Sequence, residues 1–236
     1  MKRFPLTFVA VATFLSSSLL AEEGELIFSD DFERVESQET KDEPGNDWET
    51  NSGSRAGGNK QVDLKDGAMH IYIHETADHG VSVKHAAEFK NGAVSLRFKL
   101  EDSHDDLGLN FADLKYKQVH AGHLFAVRIS PTAVAIQDLK TGRMDQKIRT
   151  ARTDGTLTPE QGKMLKTKEK SFPNKLEIGK WYDLLVEIQG EELNVVIDGS
   201  EVARFKSEGI AHPTKGHLRL AVHRNAVVDD LKIWKR

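Results

Sequence analysis

Apolar and polar residues alternate with period two along most of the chain, the signature of strands with one buried face. In HIYIH, 70–74, Ile71 and Ile73 fall on one side and His70, Tyr72 and His74 on the other. AVSLRFKL, 93–100, sets Val94, Leu96, Phe98 and Leu100 against Ser95, Arg97 and Lys99. LGLNF, 107–111, buries Leu107, Leu109 and Phe111 and turns Asn110 outward. HLRLAVH, 217–223, buries Leu218, Leu220 and Val222 and exposes His217, Arg219 and His223. Further strands are expected in LIFSDDF, VSVKHAAEF, LFAVRIS, AVAIQDL, WYDLLVEIQ, LNVVIDG, VARFK and VVDDLKIW. Asp66-Gly67, Asn91-Gly92 and Asp198-Gly199 are hairpin dipeptides, because these residue types reach positive φ with little strain. Many short strands so punctuated predict an all-β sandwich of two antiparallel sheets.

Two stretches break the alternation. Residues 34–60 are polar and Gly-rich and read as a long surface loop around Trp48. Residues 150–175 form a polar insertion, in which TPEQGKMLKTKEK predicts one short helix. Thr158 is its expected N-cap, Pro159 its first residue and Gln161 the reciprocal member of a capping box. Gly162 weakens that helix by about 1 kcal/mol.

The start of the chain, MKRFPLTFVAVATFLSSSLLAEEG, adds a compartment. A basic pair, a short apolar run and small residues ending at Ala21 are the layout of a signal peptide over residues 1–21. The run is shorter than the ~20 apolar residues a bilayer demands, so a single domain over 22–236 is expected to be secreted or periplasmic, with no membrane span. The formal net charge of −4 argues against nucleic acid as a partner. With no cysteine there are no disulfides, and a core of this size does not require them.

Ten histidines are the most conspicuous chemical feature. In VHAGHL, an offset of three would send His120 and His123 to opposite faces of a strand. A bulge or tight bend at Gly122 would bring both rings to one side; a plain exposed turn is the other reading. No HExxH, EF-hand or cysteine-based metal pattern is present. Acid pairs stand near both ends, Asp30 and Asp31 in SDDFER and Asp229 and Asp230 in VVDDLKIW. First and last strands side by side would bring these carboxylates together, either as solvated strand ends or bridged by a structural Ca²⁺. The E-x-D-x-x-E arrangement of laminarinase-type jelly rolls is absent; Asp183 and Glu187 are the nearest strand carboxylates. Trp48, Tyr72, Tyr116 and Trp181 are the candidates for stacking on sugar rings.

FSDDFER, the central GKWYDLLVEIQGEELNVVIDGSEVARF and the closing VDDLKIW resemble the concanavalin A-like jelly-roll superfamily of laminin G-like domains and family 16 glucanases. Within it, VHAGHL, IQDLKTGRM and GIAHPTKGHLRLAV are similar to secreted bacterial 3-keto-disaccharide hydrolases, over about residues 26–235. The resemblance implies cleavage of glycosides oxidised at carbon 3, where a general base and a carbonyl polariser open the glycosidic bond by elimination. On this reading His120, His123 and Asp138 are the catalytic candidates on a concave face. Asn110, Arg128, Gln137, Lys140, His212, Lys215 and Arg219 are the candidates for holding carbohydrate there. Parity favours Gln137 as outward, since Val134 and Ile136 in the core would send Asp138 inward. A lectin-like binding module and an extracellular structural domain are the competing readings.

Overall fold

A computed structural model describes residues 24–236; the expected signal peptide lies outside the described residues. The strands are β1 Glu25–Asp30, β2 Glu49–Thr50, β3 Val62–Lys65, β4 Ala68–Tyr72, β5 Val81–Phe89, β6 Gly92–Lys99, β7 Leu107–Ala112 and β8 His123–Ile129. There follow β9 Ala133–Asp138, β10 Glu169–Pro173, β11 Trp181–Gln189, β12 Glu192–Ile197, β13 Ser200–Lys206, β14 Lys215–Val222 and β15 Asn225–Lys235. An eight-stranded sheet runs β13-β12-β11-β6-β15-β4-β3, with β1 also on β15, and a seven-stranded sheet runs β10-β9-β8-β7-β14-β5-β2. All pairings are antiparallel, which is why one face of each sheet can stay wet. This is the expected jelly-roll sandwich.

The alternating residues meet between the sheets. Val94, Leu96, Phe98 and Leu100 of the β6 segment face Leu107, Leu109 and Phe111 of β7 in one continuous core. Phe111 and Phe125, paired across β7 and β8, stack at 4.7 Å. Burying each such ring contributes about 1.5–3 kcal/mol, so the floor under the outward residues of β7 and β8 is firmly held.

Asp66-Gly67 and Asp198-Gly199 have positive φ throughout, as hairpin turns require. Asn91-Gly92 does not. Gly92 opens β6, and a Cβ there would sit 2.1 Å from the Trp234 carbonyl oxygen, so close packing of β15 rather than turn geometry selects glycine. β4 ends at Tyr72, which leaves Ile73 37% exposed instead of in the core.

The 34–60 stretch is more ordered than a surface loop. It holds β2 and a helical turn, α1 Ser52–Arg55, and Trp48 is buried, donating to Asp30 at 2.8 Å. Lys60, also buried, pairs with Glu36 at 2.7 Å and Asp63 at 2.5 Å. Two helices stand in and just before the insertion, where one was expected. α3, Pro159–Thr167, has the predicted N-cap, proline and complete capping box. α2, Gln146–Thr153, escaped the pattern because Ile148 stands where a capping box needs Glu or Gln; Asp145 alone caps it, through the Lys147 and Ile148 amides.

The first and last strands pair as expected, with Asp30 opposite Leu231. Asp30 is already saturated by Phe32 N, Arg34, Asn46 and Trp48, and those bonds hold its carboxyl below the usual range against the opposing effect of burial. Asp31 accepts from the Glu33 amide, and Asp229 pairs with Arg97 at 3.2 Å. Burial, with Asp230 close by, raises the Asp229 carboxyl. Among the described residues no group of three or more His, Asp or Glu side chains converges as a metal cluster would.

Candidate functional site

The outward residues of the seven-stranded sheet fall into rows across its strands. Register places Glu169, Gln137, Ala126, Asn110, Arg219 and Lys84 in one row over β10, β9, β8, β7, β14 and β5. The next row reads Ala135, Arg128, Gly108, Ala221 and Ser82. Small residues at the centre of both rows leave a hollow of about 260 Å³, walled by long polar side chains. Strands about 4.8 Å apart put the Gln137 and Arg219 backbones roughly 14 Å from each other across it.

The HAGH segment reaches this hollow by a bend. His120–Gly122 is a single 3-10 turn with Ala121 at φ 50° and Gly122 at φ 72°, followed by a register shift in the β7–β8 pair between Phe111 and Ala112. The shift leaves Leu124 buried and faces His123 outward, with the two imidazoles 6.4 Å apart and nearly parallel. Gly122 is demanded twice over, by its left-handed φ and because a Cβ would lie 2.4 Å from the Asp113 carbonyl oxygen. Gly122→Ala is expected to destabilise the fold by about 1–3 kcal/mol and to displace His123. A lowered urea midpoint together with a shifted His123 NMR resonance checks this.

His123 Nδ1 lies 2.9 Å from Asn110 Oδ1, a pairing that favours the tautomer with its proton on Nδ1 and its lone pair on Nε2, which Arg219 Nη1 approaches at 3.4 Å. Burial first, then the Arg219 charge and His120, push the His123 pKa down to about 3, so the ring is neutral at any ordinary pH. His120 is lowered by burial and by the Arg149 and Arg219 charges. Arg219 donates to the Ala121 carbonyl at 2.8 Å and lies against the edge of the His123 ring, its Nη1 3.4 Å from Nε2. Arg128 pairs with Asp106, which also accepts from the His223 ring and amide. Burial works against the Asp106 charge, but the His223 bonds and Arg128 outweigh it and keep its carboxyl below the usual range.

Of the expected site residues, His123, Asn110, Arg128, Gln137 and Arg219 line the hollow, with His120 beside them. Asp138 does not. It is 1% exposed on the inner side of β9, where parity sends it, and accepts from Thr141 N and Oγ1, Ser207 Oγ and Gly209 N. Lys215 and His212, expected to hold carbohydrate, are also buried and do not line the hollow. Lys215 donates to the Lys90 and His212 carbonyls, and burial pushes its pKa down to about 8. His212 contacts Asp113, whose amide donates to the Gly122 carbonyl; the pair braces the HAGH turn from behind. Lys140 is placed over the Tyr116 ring. Sequence reasoning missed Arg143, which donates to Gln137 at 2.9 Å, and the Asp106–His223 pair. The GRM in IQDLKTGRM and the exposed end of HLRLAVH were the available signals. Trp48 is in the core and Trp181 lies on the other sheet, so among the described residues no Trp, Tyr or Phe lines the hollow.

Solved structures share the architecture. The laminarinase from Rhodothermus marinus superposes with a TM-score of 0.59 at 13% identity, covering 90% of this chain and 97% of that one. The GlcNAcα1-4Gal-releasing endo-β-galactosidase from Clostridium perfringens gives 0.59 at 11% identity, covering 99% of this chain and 66% of the other. SCLam, a non-specific endo-β-1,3(4)-glucanase of family GH16, gives 0.58 at 13% identity over 91% and 92%. Identities this low establish the fold alone. No curated protein matches the chain in sequence. A family model does, over residues 39–233, a span that takes in the hollow and every residue named around it: the chain belongs to the 3-keto-alpha-glucoside-1,2-lyase-like domain family.

Proposed function

We propose that the protein, exported by its leader, cleaves glycosides of 3-oxidised sugars in this hollow by elimination. The observation that carries the reading is a neutral, fixed His123 beside Arg219, a half-buried guanidinium with no carboxylate within 4 Å among the described residues. A carbonyl at C3 makes the C2 proton acidic. His120, the less perturbed imidazole, takes that proton while Arg219 stabilises the negative charge developing on the C3 oxygen. The enolate then expels the C1 substituent: C2–H and C1–O break, C1=C2 forms, and the departing oxygen takes the proton from His120. His123, too weak a base to carry the proton, accepts a sugar hydroxyl at Nε2 and is oriented by Asn110. Subsequent addition of water would complete a net hydrolysis.

A sugar-binding module without catalysis would rely on aromatic stacking, and no such ring lines the hollow among the described residues. Purified protein should release aglycone from 3-keto-glucosides but not from the unoxidised glucosides, followed by chromatography with and without chelator. Absence of release from every keto substrate under both conditions would overturn the reading.

A further inference from the structure

The chain as a whole is acidic, yet residues 140–170 hold nine Lys and Arg against four Asp and Glu. This segment takes in α2, α3 and the start of β10, overlapping most of the insertion, and it stands on the β9 side of the hollow. Its carboxylates are largely engaged: Asp145 caps α2, Glu169 accepts from Gln137, and Glu160 occupies the first turn of α3. Lys168 is paired with Glu208, and Lys140 is half-buried over Tyr116. The remaining seven cations, Arg143, Arg149, Arg152 and four lysines, are exposed and have no carboxylate within 4 Å among the described residues.

The patch is continuous with the hollow. Gln137 and Arg143 line both the hollow and an adjoining shallow cleft of about 200 Å³, whose other walls include Arg152, Lys166 and Lys168. At the far wall Arg219 adds another guanidinium without an acidic partner. Like charges gathered on one face repel, and an arrangement of this kind is relieved when an anionic ligand covers it. Guanidinium forks match the planar oxygens of carboxylate and the oxygens of sulfate.

We infer that the carbohydrate taken by this protein is acidic, a polymer carrying carboxylate or sulfate groups that runs from the hollow across the α2–α3 insertion. The inference rests on the hollow being the carbohydrate site and deepens that reading by naming the substrate class. A neutral sugar can use Arg219 during the reaction, but it has no group for the cations of the adjoining cleft and of the insertion beyond it. Duplex nucleic acid is disfavoured, because its regular phosphates would extend beyond the patch onto an otherwise acidic protein.

The test is binding, read separately from cleavage. The full protein is titrated calorimetrically with a polyuronate, a sulfated galactan, a neutral β-glucan and duplex DNA, at low and high salt. Either acidic polysaccharide should bind at least tenfold more tightly than the neutral one and weaken strongly with salt; the stronger of the two identifies carboxylate or sulfate as the recognised group. Arg152→Glu combined with Lys166→Glu should weaken acidic binding at least tenfold. Arg152→Gln with Lys166→Gln should weaken it less, which guards against misfolding of the charge-reversed protein. Equal affinity for neutral and acidic polymers, or DNA bound as tightly as the polysaccharides, would overturn the inference. Acidic binding without cleavage of any keto-glycoside would instead count against the proposed reaction, so the two failures are distinguishable.

Discussion

Arg219→Met is expected to lower kcat/KM on 3-keto-glucosides by about 10²–10³-fold, the usual consequence of removing one donor from a developing oxyanion. The loss should fall mainly on kcat, since the negative charge exists only once the C2 proton is leaving. The same substitution carries a second signature. Arg219 is the second cause, after burial, of the depressed His123 pKa. Without that charge the pKa rises from about 3, yet remains below the ordinary 6.5 because burial persists. The linkage follows in sign. A histidine whose folded pKa is depressed contributes stability above its unfolded value near 6.5, and that stability is lost as pH falls from 6.5 towards about 3. Arg219→Met narrows this window, so the variant should lose less stability to acid than the parent. Imidazole NMR titration and urea unfolding at pH 4 and 7 measure both effects. An unchanged kcat, or a His123 pKa that does not rise, would remove Arg219 from the role given to it.

Asp138→Ala should act on stability and not on chemistry. The carboxylate is buried and takes four hydrogen bonds, with Lys168 3.8 Å away. Truncation leaves the Gly209 and Thr141 amides and the Ser207 hydroxyl without their acceptor, at a cost of about 3–5 kcal/mol. Asp138→Asn keeps the shape but presents donors to donors, and about 1–3 kcal/mol is expected. The site is tight, since a Cβ at Gly209 would meet Asp138 Oδ1 at 1.9 Å. Denaturant midpoints give the stability change; activity per folded molecule should stay near that of the parent. A large fall in kcat at unchanged stability would return Asp138 to the reaction.

These two residues mark the difference between what pattern and what contact can tell. Arg219 is outward by simple alternation in HLRLAVH, between Leu218 and Leu220, and its place on the wet face could be read directly. Asp138 was drawn towards the site by its neighbours in IQDLKTG although its own parity pointed inward, and parity prevailed because Val134 and Ile136 fix the strand in the core. Lys215 and His212 are polar enough to suggest contact with carbohydrate, since such side chains are seldom fully buried; two backbone carbonyls and Asp113 make burial tolerable here. α2 was invisible because, unlike α3, it has neither a proline at its first position nor a Gln or Glu completing a capping box, and Ile148 is its one buried residue.

By itself the sequence determined the alternating strands of a two-sheet sandwich, the capped helix of the insertion and the outward set around Asn110 and Arg219. Period-two burial and capping chemistry are local rules that each segment carries within it. Only the tertiary structure decided that His123 shares a hollow with Arg128, Arg143 and His223, and that this hollow opens onto the basic insertion. Those groupings depend on register between strands distant in the chain and on small residues at Ala126, Gly108 and Ala221 lining up across them, and no single segment encodes that alignment.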